Sequence, residues 1–368
     1  MSLQRLQRVR QAMADQAVDA LLLSVGPDLP WLIGYQAMPL ERLTMLVVPR
    51  DGDPVLVIPR LEAPRVVERP ELFSMRPWTE TEDPLDLVAG LLGRAEIIAI
   101  DDRTWARFVL DLQARRPEGR YSRASAVTGP LRAVKDAAEI EVLRRAGAAA
   151  DRVAEALQRG EIALIGRTEA QVSAEIGRRL LAEGHQRVNF AIVGAGENAA
   201  SPHHDATERV IEPGEVVLCD FGGTMVGPDG AGYCSDTTRC VYTGTPPAEF
   251  VELYQVLQGA QAAAADAGTV GRPAAEVDAA ARDLIAAGGF GDAFIHRTGH
   301  GIGIEEHEDP YIVAGNDEPL VAGNAFSVEP GIYLAGRWGA RIEDIVIATD
   351  EGPQPLNHTD HSLVVVEA

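Results

Sequence analysis

Cysteine is scarce in this sequence, aromatic residues are few and basic charge is in deficit. Three cysteines, Cys219, Cys234 and Cys240, occur in 368 residues without any C-x-x-C spacing. That pattern argues against a disulfide framework and fits a reducing cytoplasm, with all three expected as buried thiols. Lys and Arg number 33 against 55 Asp and Glu, a formal charge of −22. Phosphate-backbone binding rests on Lys and Arg, so nucleic acid is not an expected partner. No apolar run approaches the roughly eighteen residues of a membrane helix. The opening MSLQRLQRVRQAMADQ is amphipathic rather than a basic head before an apolar core, so neither a signal peptide nor a membrane partner is expected.

What is present is an ordinary globular composition, 46% hydrophobic and 24% charged, in a chain long enough for two domains. Leu3, Leu6, Val9 and Met13 recur at helical spacing, predicting a helix to about Gln16. Short apolar runs at 19–24, 43–49, 54–59 and 96–101 read as buried strands. The turn Arg50-Asp51-Gly52-Asp53 makes a hairpin of the second and third. Helical patterns at 84–93 and 104–116 complete an α/β unit with a mixed or parallel sheet. PDLPWLIGY at 27–35 reads as a Pro- and Gly-containing loop in which Trp31 and Tyr35 either pack or form a ligand-facing lid. Gly129-Pro130 marks a boundary, giving domains 1–128 and 129–368.

The second domain opens with two helices whose capping boxes are Asp136 with Glu139 and Thr168 with Gln171. The strand at 188–196 carries Gly194-x-Gly196-x-x-Ala199, which superficially matches a dinucleotide fingerprint. SPHHDATERVIEPG beyond it does not look helical, so that match is rejected. Strands EVVLCDFGG and YCSDTTRCVYTG, helices at 247–267 and 273–287, and strands NAFSVEPGIYL and ARIEDIVIA follow. Each half of this region thus gives two helices and then strands bearing carboxylates.

Two features carry chemistry. HRTGHGIGIEEHEDP, residues 296–310, packs three histidines and four carboxylates among glycines. Asp220, Asp236, Glu329 and Glu343 stand inside apolar strands, where a buried ionised carboxylate costs several kcal/mol unless paired or metal-bound. The same strands hold too few Lys and Arg to neutralise four charges, which leaves a metal. Four carboxylates with one imidazole and no thiolate suit hard or borderline divalent ions, and two ions sharing bridging carboxylates better than one tetrahedral zinc. Mn²⁺ heads that choice, with Co²⁺ or Zn²⁺ as alternatives.

The contexts DFGG, SDTTR, TGHGIG, SVEPGIY and RIEDIV resemble the pita-bread metallopeptidases, which include methionine aminopeptidase, aminopeptidase P and prolidase. The resemblance covers 131 to about 350. It implies an α/β (α+β) chain with a creatinase-type N-terminal domain before a pita-bread catalytic domain. It also implies five dimetal ligands, Asp220, Asp236, His300, Glu329 and Glu343. On the same resemblance His203 is the active-site histidine upstream of the first ligand, in preference to His204, and His307 steadies the tetrahedral intermediate. His296 and Arg341 match a histidine and an arginine of the Xaa-Pro branch and are available for substrate groups. Glu329 doubles as proton acceptor, while Glu305, Glu306, Glu308 and Asp309 become supporting or surface groups. One departure is the spacing of sixteen between Asp220 and Asp236, longer than the family pattern, as though TMVGPDGAG carried an insertion.

The N-terminal domain sets the chain apart from the short methionine aminopeptidases. The implied activity is hydrolysis of the bond preceding proline, as an Xaa-Pro dipeptidase acting on proline-containing dipeptides. The alternative is an aminopeptidase P acting on Xaa-Pro-Xaa oligopeptides. A metal-free creatinase-like hydrolase or a non-enzymatic binding module would be expected to have lost ligands that this chain keeps. The family also suggests a homodimer in which Trp31 and Tyr35 could reach a partner's site.

Overall fold

Apolar runs of four or five residues, too short for helices, form the central strands near the N-terminus. The computed structural model describes residues 2–366. It divides into two compact units: the chain to Arg132 together with Gly227–Gly232, and Ala133–Val226 together with the remainder from Tyr233. In the first unit the helix Ser2–Asp15 turns Leu6, Val9 and Met13 inward, while Leu3 stays half exposed. Six strands lie in the order Ser74–Trp78, Val55–Pro59, Met45–Pro49, Ala20–Leu23, Ile97–Ile100, Arg120–Arg123. Ala20–Leu23 runs antiparallel to Met45–Pro49 and parallel to Ile97–Ile100, so the sheet is mixed. The expected hairpin closes through Gly52, whose φ of +123° favours glycine. The outer strands, SMRPW and RYSR, are largely solvated and carry no apolar run, which is why the sequence pattern passes over them.

The segment read as a loop around Trp31 is a short helix, Asp28–Ile33, with all six residues buried. Pro30 is tolerated because it falls in the first turn, where backbone N–H groups have no intrahelical acceptor. Gly34 ends the helix at φ +73°. Trp31 is 2% exposed, and Arg5 both donates to its carbonyl at 2.8 Å and stands 5.6 Å from its ring centroid. Tyr35 is buried as well, so within this unit both aromatics pack. The added loop Gly227–Gly232 belongs to the same unit: Asp229 pairs with Arg5 at 2.9 Å, and its carbonyl accepts from Arg69 at 2.8 Å. Gly129 and Pro130 lie inside the helix Ser125–Ala133. Pro130 has no N–H for the Ala126 carbonyl, and Gln16 Nε2 donates to it instead at 2.9 Å.

In the second unit the helices Ala137–Gln158 and Glu169–Ala182 begin with the two expected capping boxes. They precede a sheet ordered Val364–Val366, Thr237–Thr243, Val216–Val226, Arg187–Ala195, with Gly232–Cys234 beside Val216–Val226. Helices Ala248–Ala267 and Ala274–Ala287 precede a second sheet, Glu308–Ile312, Gly299–Gly301, Ala325–Val328, Asp344–Thr349, Gly352–Pro355. Arg187–Ala195 ends in a single 3-10 turn, Gly196–Ala200, so no α-helix starts at the glycine pattern. The three thiols are buried and free. Among the described residues no helix is long and apolar enough to cross a membrane.

Three strands expected to be continuous are broken. YCSDTTRCVYTG divides into Gly232–Cys234 and Thr237–Thr243, NAFSVEPGIYL into Ala325–Val328 and Gly331–Leu334, and the last into Trp338–Arg341 and Asp344–Thr349. The ladder pairing Val328 with Asp344 gives way to a separate two-stranded ribbon pairing Gly331 with Arg341. Both chains therefore bend at one level, and Pro330 cannot donate across the gap. Asp236, Glu329 and Glu343 stand in these breaks.

A Cβ on Gly299 would run into the Ser327 carbonyl oxygen of the neighbouring strand. Backbone cannot yield as a side chain can, so Gly299→Ala is expected to destabilise the protein by about 2 kcal/mol or more. A urea denaturation midpoint equal to that of the parent would contradict this packing.

Candidate metal centre

Strands, strand breaks and loops together bring nine side chains to one cavity of about 780 Å³ in the second unit. Its wall includes Asp220, Asp236, Glu329, Glu343, His203, His296, His300, His307 and Arg341. These are the residues the sequence nominated. Asp220 projects from Val216–Val226, His300 from the three-residue strand Gly299–Gly301, and the other three acids from the gaps. Ligand atoms of Asp236, His300 and Glu343 all lie within 4.8 Å of one another.

His300 is oriented from behind. Its Nδ1 faces the Gly301 carbonyl at 3.1 Å, which can only accept, so Nδ1 carries hydrogen and Nε2 is left with a lone pair. That lone pair meets Glu329 Oε1 at 3.1 Å and Asp236 Oδ2 at 3.9 Å. A lone pair facing carboxylate oxygens calls for a proton or a cation between them. Ser327 Oγ accepts from His300 N at 3.0 Å and donates to Glu329 Oε1 at 3.1 Å, fixing the two residues together.

Charge crowding points the same way. Burial pushes the Asp236 and Glu343 carboxyls well above the ordinary range, and neighbouring carboxylates push them further. Burial likewise raises Asp220 against the pull of Arg341, whose Nη2 donates to Asp220 Oδ2 at 2.5 Å. Burial opposes ionisation of Glu329 too, but with a proton on His300 Nε2 the resulting hydrogen bond and charge outweigh it and hold that carboxyl at about 2. Asp220 Oδ1 and Asp236 Oδ1 are buried without a hydrogen-bond partner. Orphaned carboxylate oxygens, a lone pair aimed among them and an oxygen-rich donor set without thiolate fit divalent metal ions.

The remaining candidates divide by what holds them. Arg341, expected at substrate, is 2% exposed, with its donors committed to Asp220, to Tyr333 Oη at 2.7 Å and to Thr238 Oγ1 at 3.1 Å. His296 Nε2 reaches the same Tyr333 hydroxyl at 2.9 Å. His204 bonds Glu169 at 2.8 Å, leaving His203 as the exposed ring in the cavity wall. The ring of His307 stands 4.0 Å from that of His300. Burial, then positive charge on a protonated His300 and on Arg297, lowers its pKa to about 4, so it is neutral at pH 7. Of the four acids in 296–310, Glu308 is a buried partner of Lys135 at 2.8 Å, and Glu306 lines the cavity.

Tyr333 and Thr238 were not nominated by the sequence. Thr238 Oγ1 donates to Glu343 Oε2 at 2.7 Å while accepting from Arg341. Period-two spacing from Asp236, within the run that the sequence reads as one strand, was the available signal. Tyr333 offers none, because its hydroxyl acts only through the ribbon's pairing.

The fold and this donor set together define a metal-dependent hydrolase. The chain belongs to metallopeptidase family M24, whose pattern matches residues 141–350, and the Creatinase/Prolidase N-terminal domain matches 5–134. Its two parts are thus a creatinase-type domain and a pita-bread domain. It is 46% identical over 366 residues to the "Probable dipeptidase PepE" of Mycobacterium tuberculosis, covering 98% of this chain and 96% of that one. It is 36% identical to the Xaa-Pro dipeptidase of Lactobacillus helveticus, covering 98% of each. The crystal structure of the Thermococcus sibiricus prolidase superposes with a TM-score of 0.93 at 33% identity, over 100% of this chain and 99% of that one.

Thr238→Val keeps shape but removes the hydroxyl that holds Glu343. Losing such a support typically weakens metal binding by about 10- to 100-fold. Calorimetric titration of metal-stripped protein with Mn²⁺ is expected to record that loss, and unchanged affinity would refute the role given to Thr238.

Proposed function

We propose that this chain is a two-metal Xaa-Pro dipeptidase, with Asp220, Asp236, His300, Glu329 and Glu343 as ligands and Mn²⁺ as the preferred ion. The observation that carries the reading is the convergence of these five groups, two with orphaned buried oxygens, on one cavity. Its substrate class is supported by the 36% identity to an Xaa-Pro dipeptidase across nearly the whole chain. The resemblance also supports a homodimer, and three buried free thiols suit a reducing cytoplasm.

When bound, divalent ions supply an acidified nucleophilic water and Lewis acidity at the scissile carbonyl. The chain's own groups do the rest. Glu329 Oε1 is held by Ser327 and faces His300, whereas Oε2 lies 4.0 Å from Arg341 Nε, outside hydrogen-bond range. Oε2 is therefore the oxygen free to take the water's proton and deliver it to the departing proline nitrogen. His307, neutral at pH 7, donates an N–H to the developing oxyanion. His203 meets the substrate from the opposite loop. Arg341 offsets one carboxylate charge, and the Tyr333 hydroxyl ties it to His296.

Metal-stripped protein reconstituted with Mn²⁺ is expected to hydrolyse an Xaa-Pro dipeptide faster than an Xaa-Pro-Xaa tripeptide. Preference for the tripeptide would favour the aminopeptidase P reading. Glu329→Gln is expected to lower kcat by roughly 100-fold or more, and His307→Ala by about 100-fold. Full turnover in either variant would overturn the assigned roles.

A further inference from the structure

The cavity wall contains two guanidinium groups with different electrostatic fates. Arg341 is committed to Asp220 and Tyr333. Arg297 makes no ion pair with any described carboxylate; its Cζ stands 4.5 Å from the centroid of the Tyr311 ring. Stacking of this kind restrains a guanidinium while leaving its edge N–H groups available. Glu306 and Asp205 line the same cavity beside the candidate metal ligands, and each of them repels an entering carboxylate. Arg297 is the wall's one arginine not already paired with an acid.

The backbone under Arg297 is fixed on both sides. Arg282 Nη2 donates to the His296 carbonyl at 2.8 Å, and Thr298 N donates to Asp278 Oδ1 at 3.0 Å. Arg282 and Asp278 are themselves paired at 2.8 Å on the helix Ala274–Ala287. The guanidinium is therefore presented from a rigid support, the condition for orienting a ligand.

We infer that Arg297 receives the substrate's C-terminal carboxylate and thereby selects dipeptides over longer peptides. This rests on the Xaa-Pro reading above. In an Xaa-Pro dipeptide that carboxylate is held on the proline ring, on the far side of the scissile bond from the N-terminus. In a longer peptide the same position is an uncharged amide. A planar guanidinium can meet a carboxylate with two parallel N–H donors and has no comparable match for an amide.

The test compares an Xaa-Pro dipeptide with its C-terminal amide on Mn²⁺-loaded protein, for the parent, Arg297→Met and Arg297→Lys. The parent is expected to prefer the free acid by about 10-fold or more in kcat/KM, mostly through KM. Arg297→Met keeps the aliphatic bulk and is expected to lose that preference while still cleaving the amide, which reports that it folds. Arg297→Lys is expected to restore part of it. Calorimetric binding of proline against prolinamide reads the same discrimination without turnover. A parent acid-to-amide ratio near one, or the parental ratio retained in Arg297→Met, overturns the assignment and leaves the peptidase reading standing. If the parent cleaves neither compound, the Xaa-Pro reading falls and this assignment falls with it.

Discussion

Negative charge that cannot reach water is the constraint on which the second unit depends. Asp220, Asp236 and Glu343 are each under a tenth exposed, and Glu329 stands among them. Among the described residues Arg341 is the only guanidinium that hydrogen-bonds one of these carboxylates, and it offsets one charge. Leaving the others ionised and unmatched would cost several kcal/mol each. A divalent cation held among them, as proposed above, would turn the same repulsion into attraction. The breaks in three strands follow from this. A regular ladder would send alternate side chains to opposite faces, and three interruptions instead turn Asp236, Glu329 and Glu343 toward one point.

Behind those acids lies a layer that holds their orientation without joining them. Arg239, wholly buried, donates to the Glu343 carbonyl at 2.8 Å and to Asp344 Oδ1 at 2.7 Å. Asp344 also meets His361 Nε2 at 2.7 Å, and burial is outweighed by these cations, so its carboxyl stays below the ordinary range. Adjacent residues 343 and 344 thus carry acids of opposite fate. Asp344 is matched by positive charge from the protein, while Glu343 is left for the proposed metal.

That distinction marks how far the sequence could be read. Acids inside apolar strands were legible because burial is local pattern, and Asp220, Asp236, Glu329 and Glu343 could be nominated from it. Helix starts at Asp136 and Thr168 were legible because a capping box is complete within four residues. The breaks at 235–236, 329–330 and 342–343 were not, since strand continuity depends on which neighbour each half pairs with. Nor was the commitment of Arg341, which rests on a contact 121 residues away. The helix Asp28–Ile33 was hidden by a proline that reads as a breaker unless its position in the first turn is known. The added loop beyond Val226 was visible only as extra length; Arg5 and Arg69 account for it by holding Asp229 in the first unit.

Preorganisation explains why so many supporting groups surround so few reactive ones. Glu169 is fully buried, yet accepts from Ala195 N, Asn198 Nδ2, His204, Thr207 N and Thr207 Oγ1. Burial would raise its pKa, but these donors reverse that and hold it ionised. One carboxylate thereby stitches the segment from 195 to 207 to the start of the helix Glu169–Ala182. His203 is exposed at the cavity wall, where a free loop would let its ring sample many positions. With His204 tied down beside it, that entropy is removed when the chain folds, not when substrate arrives. Of the two adjacent histidines one is therefore an anchor and the other is exposed to the cavity. Asp278 and Arg282 repeat the arrangement on the opposite wall, fixing the backbone from His296 to Thr298, which runs on to His300. Each wall is braced from a helix N-terminal to its own sheet, so the two-helices-then-sheet order also orders the reactive groups before they meet substrate.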